Sequence, residues 1–227
     1  CLWAGVDYLG ESMGFPSKGW GGTPVQTNLV RKPISYLWES YWSEKPMVHI
    51  SILDYTKPAE IVREPWSELP LSDCWNYPMF VKMPMVYMIF SNCQEVRLSL
   101  NGEYFDIDRP GDCKSRIISG FLPLEPGTVL AEGMMEGQVV CSHKLVTCKE
   151  AEKLIFTDFP EPAKKLPAQL LFTVTAVDRD GNPDFRENRE VSFAAEGPCI
   201  VEGVDSGYLC SQEPFDSDHI HMHQGRA

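Results

Sequence analysis

Short apolar strands separated by turn residues run through the middle of the sequence, and they constrain the fold more than any other feature. Val96, Leu98 and Leu100 alternate with polar residues, as in a strand that buries one face. Asn101-Gly102 follows, and this pair supplies the two positive φ angles of a tight hairpin turn. Residues 103–105 then begin a returning strand. The pattern predicts a β-hairpin at this position.

Strands of the same kind recur along most of the chain. The predicted strands are 47–53, 84–91, 95–100, 103–105, 116–122, 128–134, 138–147, 170–177, 189–195 and 199–204. Regular short strands without intervening helices are typical of antiparallel β-sandwiches. We therefore predict a mainly β fold with two antiparallel immunoglobulin-like β-sandwiches, over 46–148 and 149–227. We expect the second sandwich to be truncated, because such domains usually run to about 100 residues.

Residues 1–45 have a different pattern: an apolar strand-like run, a glycine-rich loop over 10–22, and one helix predicted over 31–42. Large apolar residues recur in this helix at the spacing that lines one face. They are Ile34, Leu37, Trp38 and Tyr41. Pro33 is tolerated in the first turn, and Pro46 ends the helix. This segment is too small to bury its own apolar face, so we expect the chain to self-associate unless the face packs internally.

Composition excludes several classes of protein. The 227 residues carry 20 basic and 32 acidic side chains, a net charge of −12, whereas nucleic-acid binders need basic residues. The charge does not favour an anionic membrane surface either, and the apolar stretch 83–90 is too short to span a bilayer. With 43% hydrophobic residues, the chain can build a core. We expect a soluble globular protein.

The cysteines bear on the compartment. The sequence has eight, with no CxxC pair and no zinc-finger spacing, and several lie in apolar segments typical of buried thiols. Free thiols are therefore favoured over disulfides, which predicts a reducing, cytoplasmic location. The even count keeps a disulfide-bonded protein, secreted or periplasmic, as the alternative.

Two local patterns could bind metals. The run 219–223 places His219, His221 and His223 on one face if it is a strand, and such a face could chelate zinc or copper. The run 178–182 resembles half of a calcium loop, but Arg189 stands where the twelfth-position glutamate is required. A polar strand face and a hairpin turn are the simpler interpretations, so we expect no metal and no cofactor.

The sequence contains no motif that specifically indicates a catalytic group. Cys113, Cys141 and His143 have no accompanying oxyanion signature, so a cysteine nucleophile is rejected. The many carboxylates offer no specific acid–base pair. Trp3, at a strand before a glycine-rich loop, is the better ligand candidate, because an exposed indole can stack on the face of a sugar.

Several segments resemble one enzyme family in the expected order. Residues 3–11 are similar to a "W-x-G-x-D-Y-x-G-E" run of the β-galactosidase-like branch of glycoside hydrolase family 2, and 42–50 to its "W-x-x-K-P-x-V-H-I" exit. Residues 90–102 resemble its "Y-S-N-C-x-x-V-x-L-x-L-N-G" hairpin and 125–131 its "x-P-G-x-L-x-A" turn. The last segment, with residues 177–183, Gly197 and 213–215, looks like the immunoglobulin-like module that follows the first sandwich in this family.

The resemblance implies that 1–45 is a remnant of a (β/α)8 barrel, with its last strand, loop and helix, and that two sandwiches follow. It implies an accessory, non-catalytic portion of a retaining exo-β-glycosidase, a β-galactosidase, acting on a β-linked sugar. The family's two catalytic glutamates come from earlier barrel strands, so no catalytic residue is expected here, and the chain alone is predicted to be inactive. Trp3 and Asp7 are the implied substrate-binding residues, near the barrel mouth.

Two other functions stay open. A carbohydrate-binding β-sandwich module would explain the abundance of tryptophan. An adhesion-type immunoglobulin tandem would explain the terminal sandwich, but neither the Trp3 strand nor the helix over 31–42.

Overall fold

The computed structural model describes residues 2–12, 14–56, 69–105, 116–157 and 169–227. By its internal contacts the chain divides into two compact units. The central unit is Arg31–Thr147, and the composite unit combines Cys1–Val30 with Cys148–Ala227. No helix in the described ranges has the length and apolar character needed to cross a membrane.

Within 31–56, 69–105 and 116–147, the described parts of the central unit, the chain forms two four-stranded antiparallel sheets. The first sheet contains β3 (Val48–Leu53), β4 (Leu71–Ser72), β5 (Pro84–Ser91) and β8 (Ile117–Pro123), in the spatial order β4-β3-β5-β8. Strand β3 also packs against two strands of the second sheet. The second sheet has the order β10-β9-β6-β7. Its strands are β6 (Glu95–Leu100), β7 (Glu103–Phe105), β9 (Thr128–Met135) and β10 (Gln138–Val146).

Alternating side chains of both sheets form the core of the central unit. The largest fully buried apolar side chains of the central unit are Ile50, Ile52, Trp75, Met85, Ile89, Phe90, Leu98, Leu122, Val129 and Leu145. The predicted hairpin is confirmed, because β6 and β7 pair and Asn101 and Gly102 have φ angles of 52° and 89°. The prediction of a mainly β fold of antiparallel sheets is likewise confirmed.

The helix α1 spans Ser35–Trp42, which is shorter at its N-terminus than the predicted range 31–42. Its buried residues are Ser35 and Ser40, whereas Tyr41 and Trp42 are exposed. The ring of Tyr36 in this helix stacks on buried His49 of β3.

In the composite unit, the residues that the structure describes form three two-stranded antiparallel sheets. They pair β1 (Tyr8–Leu9) with β2 (Gly19–Trp20), β11 (Lys153–Thr157) with β12 (Thr173–Val177), and β13 (Glu190–Ser192) with β14 (His219–His221). A small apolar cluster lies at its centre: Ala176, Val191, Ile220 and Met222. Residues 225–227 add backbone hydrogen bonds to β12, since Ala176 N–H donates to the Gly225 carbonyl.

One predicted strand is wrong. Residues 199–204 run as irregular chain, held by the hydrogen bond from Val204 N–H to the Phe215 carbonyl. The division into 1–45, 46–148 and 149–227, and the origin of 1–45 in a barrel, stay predictions.

Candidate functional site

The two residues predicted to bind substrate lie in contrasting environments. Trp3 is 84% exposed, whereas Asp7 is buried. The Asp7 carboxylate accepts a hydrogen bond of 2.7 Å from the Thr23 hydroxyl, and Asp7 N–H donates to the Val25 carbonyl at 2.8 Å. This arrangement fixes the backbone of the first strand. The role of Trp3 and Asp7 in a sugar subsite stays a prediction.

The glycine-rich loop after Asp7 is a short hairpin. Gly10 N–H donates to the Lys18 carbonyl, and the positive φ of Gly10, 106°, suits a residue without a side chain. The Tyr8 hydroxyl donates to the Glu11 carboxylate at 2.7 Å. This hydrogen bond raises the pKa of Tyr8. Glu11 therefore serves as a local acceptor within the hairpin.

The same hairpin packs on a segment near the end of the chain, 207–215, within the composite unit. Lys18 N–H donates to the Leu209 carbonyl at 2.9 Å, and the Gln212 side chain donates to the Pro16 carbonyl at 2.9 Å. The ammonium of Lys18 lies 4.3 Å from the centre of the Phe215 ring. These contacts hold 207–215 in a defined conformation although it contains no regular strand.

An open cleft of about 740 Å³ lies beside 207–215, and we call it the Tyr208 cleft. Its lining includes Asn188, Tyr208, Gln212, Glu213, His221 and His223. The Tyr208 ring stacks on His223 at 4.4 Å with an interplanar angle of 13°. Glu213 accepts hydrogen bonds from the backbone and ring of His221 and from the Ser211 hydroxyl.

The charges in the cleft follow from these contacts. Burial would raise the pKa of Glu213, but the hydrogen bonds from His221 and Ser211 outweigh it and lower the pKa. The Glu213 carboxylate in turn raises the pKa of His221. The cleft therefore holds an ionised carboxylate whose charge is partly balanced by the neighbouring imidazole.

A second polar cluster lies in the central unit, where His49 is buried and Asp73 and His143 are partly buried. His49 Nε2 lies 3.1 Å from Asp73 Oδ1, and the Ser51 hydroxyl donates to the same oxygen at 2.6 Å. The His49 ring stacks on Tyr36 at 3.5 Å and on His143 at 3.8 Å. Ile50 N–H donates to His143 Nδ1 at 3.2 Å.

The pKa values in this cluster are shifted by burial and by charge. Burial would raise the pKa of Asp73, but the attraction and hydrogen bond of His49 and the hydrogen bond of Ser51 lower it. Burial, together with repulsion from His49, lowers the pKa of His143 to about 4 despite the attraction of Asp73. At neutral pH the cluster therefore contains an ionised Asp73 and a neutral His143.

The cluster does not fit a metal ion, although His49, Asp73 and His143 bring ligand atoms within 4.8 Å of one another. His143 Nδ1 accepts from the backbone, so the proton of the neutral ring lies on Nε2. The His49 and His143 rings are inclined by only 26°, and lone pairs in nearly parallel planes do not converge on one ion. We interpret the cluster as a hydrogen-bonded link between the two sheets.

The three histidines of the run 219–223 each contact a different partner. His219 and His221 are exposed on β14, but His219 contacts Asp218, His221 contacts Glu213, and His223 stacks on Tyr208. The calcium-like run folds as a turn, in which Asp178 Oδ1 accepts from the backbone N–H groups of Asp180 and Asn182. The Asp178 carboxylate, the first candidate ligand of the run, is thus occupied by the protein itself.

The cysteine–histidine hypothesis has no support among the described residues. Cys113 lies outside them, and Cys141 is 3.5 Å from Cys93, a thiol neighbour. Burial and this neighbour raise the pKa of Cys141 to about 12, so its nucleophilic thiolate is disfavoured. The six cysteines that the structure describes are free thiols: Cys74, Cys93, Cys141, Cys148, Cys199 and Cys210.

Sequence reasoning missed both the Tyr208 cleft and the polar cluster of His49, Asp73 and His143. His49, Asp73 and His143 are separated by 24 and 70 residues along the chain, and only the folded sheets bring them together. A clue was present in β10, since Cys141, His143 and Leu145 share the more buried face of a strand that is otherwise exposed. The Tyr208 cleft is formed by irregular chain, for which periodicity gives no signal.

Comparisons with known proteins agree with one another. Residues 169–227 match the family described as glycoside hydrolase family 2 C-terminal domain 5. The chain is 25% identical over 221 residues to the beta-galactosidase BoGH2A of Bacteroides ovatus, covering 96% of this chain and 23% of that protein.

Solved structures show the same fold. A glycosyl hydrolase family 2 member from Bacteroides cellulosilyticus matches with a TM-score of 0.87 and 24% identity, covering 99% of this chain and 31% of that one. A second structure, of a family 2 member from strain DSM 14838 of the same species, matches with a TM-score of 0.77 and 25% identity, over 90% and 28%. The chain therefore spans less than a third of the length of each of these relatives.

Proposed function

We propose that this chain, which belongs to the C-terminal region of the family 2 glycoside hydrolases, braces the catalytic barrel of a retaining exo-β-glycosidase. The accessory character of the region follows from the family match and from relatives that cover nearly all of the chain. The activity assigned to the whole protein is our proposal: hydrolysis of β-galactosides, as the name of the Bacteroides ovatus relative suggests.

One observation carries the bracing role. Trp42, at the end of α1, is 66% exposed, and the neighbouring Tyr41 is also exposed. The Trp42 ring also stacks on Trp38, one turn earlier, with the ring centres 5.5 Å apart, so this end of the helix presents an aromatic surface of the kind that a packing partner covers. The barrel is the partner that the family resemblance offers for this helix.

The catalytic test compares two proteins: the purified chain, and a longer protein produced together with the coding sequence upstream. We expect p-nitrophenyl β-galactoside to be hydrolysed by the longer protein alone. Turnover by the purified chain would contradict the non-catalytic role. Turnover of another β-glycoside in place of the galactoside by the longer protein would contradict the substrate assignment and leave the bracing role intact.

The bracing role is tested by Trp42→Ala in both proteins. We expect this change to lower the Tm of the longer protein by several degrees and to leave that of the isolated chain nearly unchanged, because Trp42 is covered only in the former. Phe121→Ala is the matched control, because Phe121 is exposed on β8. We expect it to change the Tm of the longer protein and that of the isolated chain by the same amount. Equal effects of Trp42→Ala in the two proteins would contradict the proposal.

A further inference from the structure

We propose that the Tyr208 cleft binds a neutral saccharide. The cleft lies in the composite unit, where no part of the chain was expected to contact a ligand except Trp3 and Asp7. The choice of a saccharide among neutral hydroxylated ligands rests on the proposed function, whereas the location and the neutral character rest on the geometry of the cleft.

The aromatic wall of the cleft is fixed before any ligand binds. Tyr208 is 46% exposed, and its ring is held by the stack on His223. Gly207 precedes it with a φ of 72°, and a side chain at this position would meet Gln26 and Asn28. An exposed aromatic face held in one orientation offers its negative π surface to the C–H groups of a sugar ring at little entropic cost.

The polar groups are also positioned by the protein. Glu213 Oε1 receives the two hydrogen bonds from His221, whereas Oε2 receives one from the Ser211 hydroxyl, so Oε2 retains a lone pair for another donor. The Gln212 amide donates to the carbonyls of Pro16 and Cys210, which leaves its oxygen as an acceptor. Two fixed acceptors beside an aromatic face suit a ligand that carries several hydroxyl donors.

The charge of the lining selects against anions. Among the described residues that line the cleft there is no lysine or arginine, and the carboxylate of Glu213 is ionised. His221 supplies positive charge, but its ring nitrogen Nδ1 is already paired with Glu213 at 2.8 Å. A phosphate or a uronic acid would therefore lie beside the Glu213 carboxylate with no lysine or arginine of the lining to pair with, whereas a neutral hexose needs no such counter-charge.

The test is a titration of the purified chain followed by nuclear magnetic resonance of its backbone amides. The probes are methyl β-galactoside and a β-linked galactose disaccharide, with sodium glucuronate and inorganic phosphate as charged comparisons. We expect the neutral sugars to shift the amides of Tyr208, Glu213 and His221 with a dissociation constant of about 1 mM, as a small, open site allows.

Two variants and one control complete the experiment. Tyr208→Ala should weaken binding about three- to tenfold, whereas Tyr208→Phe should retain most of it, because the ring face is what stacks. Tyr104→Ala, at an exposed tyrosine of the central unit, should change nothing.

Three outcomes would overturn the inference: no saturable shift in the cleft, glucuronate or phosphate binding more tightly than the galactosides, or an affinity unchanged by Tyr208→Ala. Failure of the inference is separable from failure of the proposed function. The latter is judged by turnover in the longer protein, which does not depend on this titration.

Discussion

The central and composite units are stabilised in different ways. The central unit has two four-stranded sheets and a continuous set of fully buried apolar side chains, among them Trp75, Phe90 and Leu98. In the described residues of the composite unit, every sheet is two-stranded, and a small apolar cluster surrounds Ala176 and Ile220. Its irregular segments depend instead on buried carboxylates that accept backbone hydrogen bonds. The difference shows that one chain can be stabilised by buried apolar side chains in one region and by hydrogen bonds to buried carboxylates in another.

The largest test of this comparison is Trp75→Ala in the central unit. Trp75 is 1% exposed, and its indole N–H donates to the Glu125 carbonyl at 2.9 Å. We expect a loss of about 3–5 kcal/mol in the free energy of unfolding, because a large cavity and an unpaired carbonyl remain. Urea denaturation followed by circular dichroism measures it, with Trp42→Ala as the exposed control. A loss below about 1 kcal/mol would contradict the apolar account of this unit.

The second test is the pH dependence that His143 gives to the central unit. Its folded pKa of about 4 lies below the unfolded value near 6.5, so the unfolded state binds the proton first as the pH falls. The contribution of His143 to the free energy of unfolding is complete above about pH 6.5 and is lost as the pH falls from about 6.5 to about 4. We expect the loss to be about 2–3 kcal/mol.

Replacing the titrating group should remove this slope. His143→Gln should flatten the stability profile in that window, even if its stability at pH 7 is lower. Asp73 also has a depressed pKa, so its contribution is lost only as the pH falls from near 4 through its lower folded value. A profile for His143→Gln that is as steep as that of the parent would assign the pH dependence to other groups.

The third and smallest expected effect concerns the composite unit. Asp178 is 1% exposed, and its carboxylate accepts backbone N–H groups of Lys149, Asp180 and Asn182. Burial would raise its pKa, but these hydrogen bonds lower it. Asp178→Ala should cost about 2 kcal/mol, because three donors lose their acceptor.

Asp180→Ala is the control for this change, since Asp180 is exposed and makes only a 3.3 Å contact with the Lys149 ammonium. Hydrogen exchange of the amides of Asp180 and Asn182 would localise the effect of Asp178→Ala. Unchanged protection of both amides would show that the buried carboxylate is not what holds this turn, and the contrast between the two units would weaken.

The sequence predicted the central unit far better than the composite unit, and the physical reason is periodicity. Strands β5, β6 and β7 lie where alternation and Asn101-Gly102 placed them, because each buries one face of a regular sheet. In the composite unit, β11 was missed, and the predicted strand at 199–204 is irregular. Hydrogen bonds to side chains replace the alternation of burial there, so the pattern carries less information.

The candidate sites were less predictable than the fold. Trp3 was singled out by its position before the glycine-rich loop and Asp7 by a family resemblance, whereas Tyr208 and Glu213 were not singled out as ligand contacts. Their surroundings depend on Pro16 and Lys18, which lie almost 200 residues earlier in the chain. A site assembled from such distant segments of irregular chain leaves no local spacing that can be recognised.

The composite unit is discontinuous in sequence, and this has a consequence for biosynthesis. Residues 31–147 can acquire their contacts as soon as they emerge from the ribosome, because the central unit is a single stretch. The contacts that residues 1–30 make with 148–227 can form only after the later segment has been made. The contacts of the β1–β2 hairpin with 207–215 thus join segments separated by more than 100 residues, and contacts of such long sequence separation form slowly. We expect a nascent chain that stalls near residue 150 to carry a folded central unit in which the contacts between 1–30 and 148–227 are still absent.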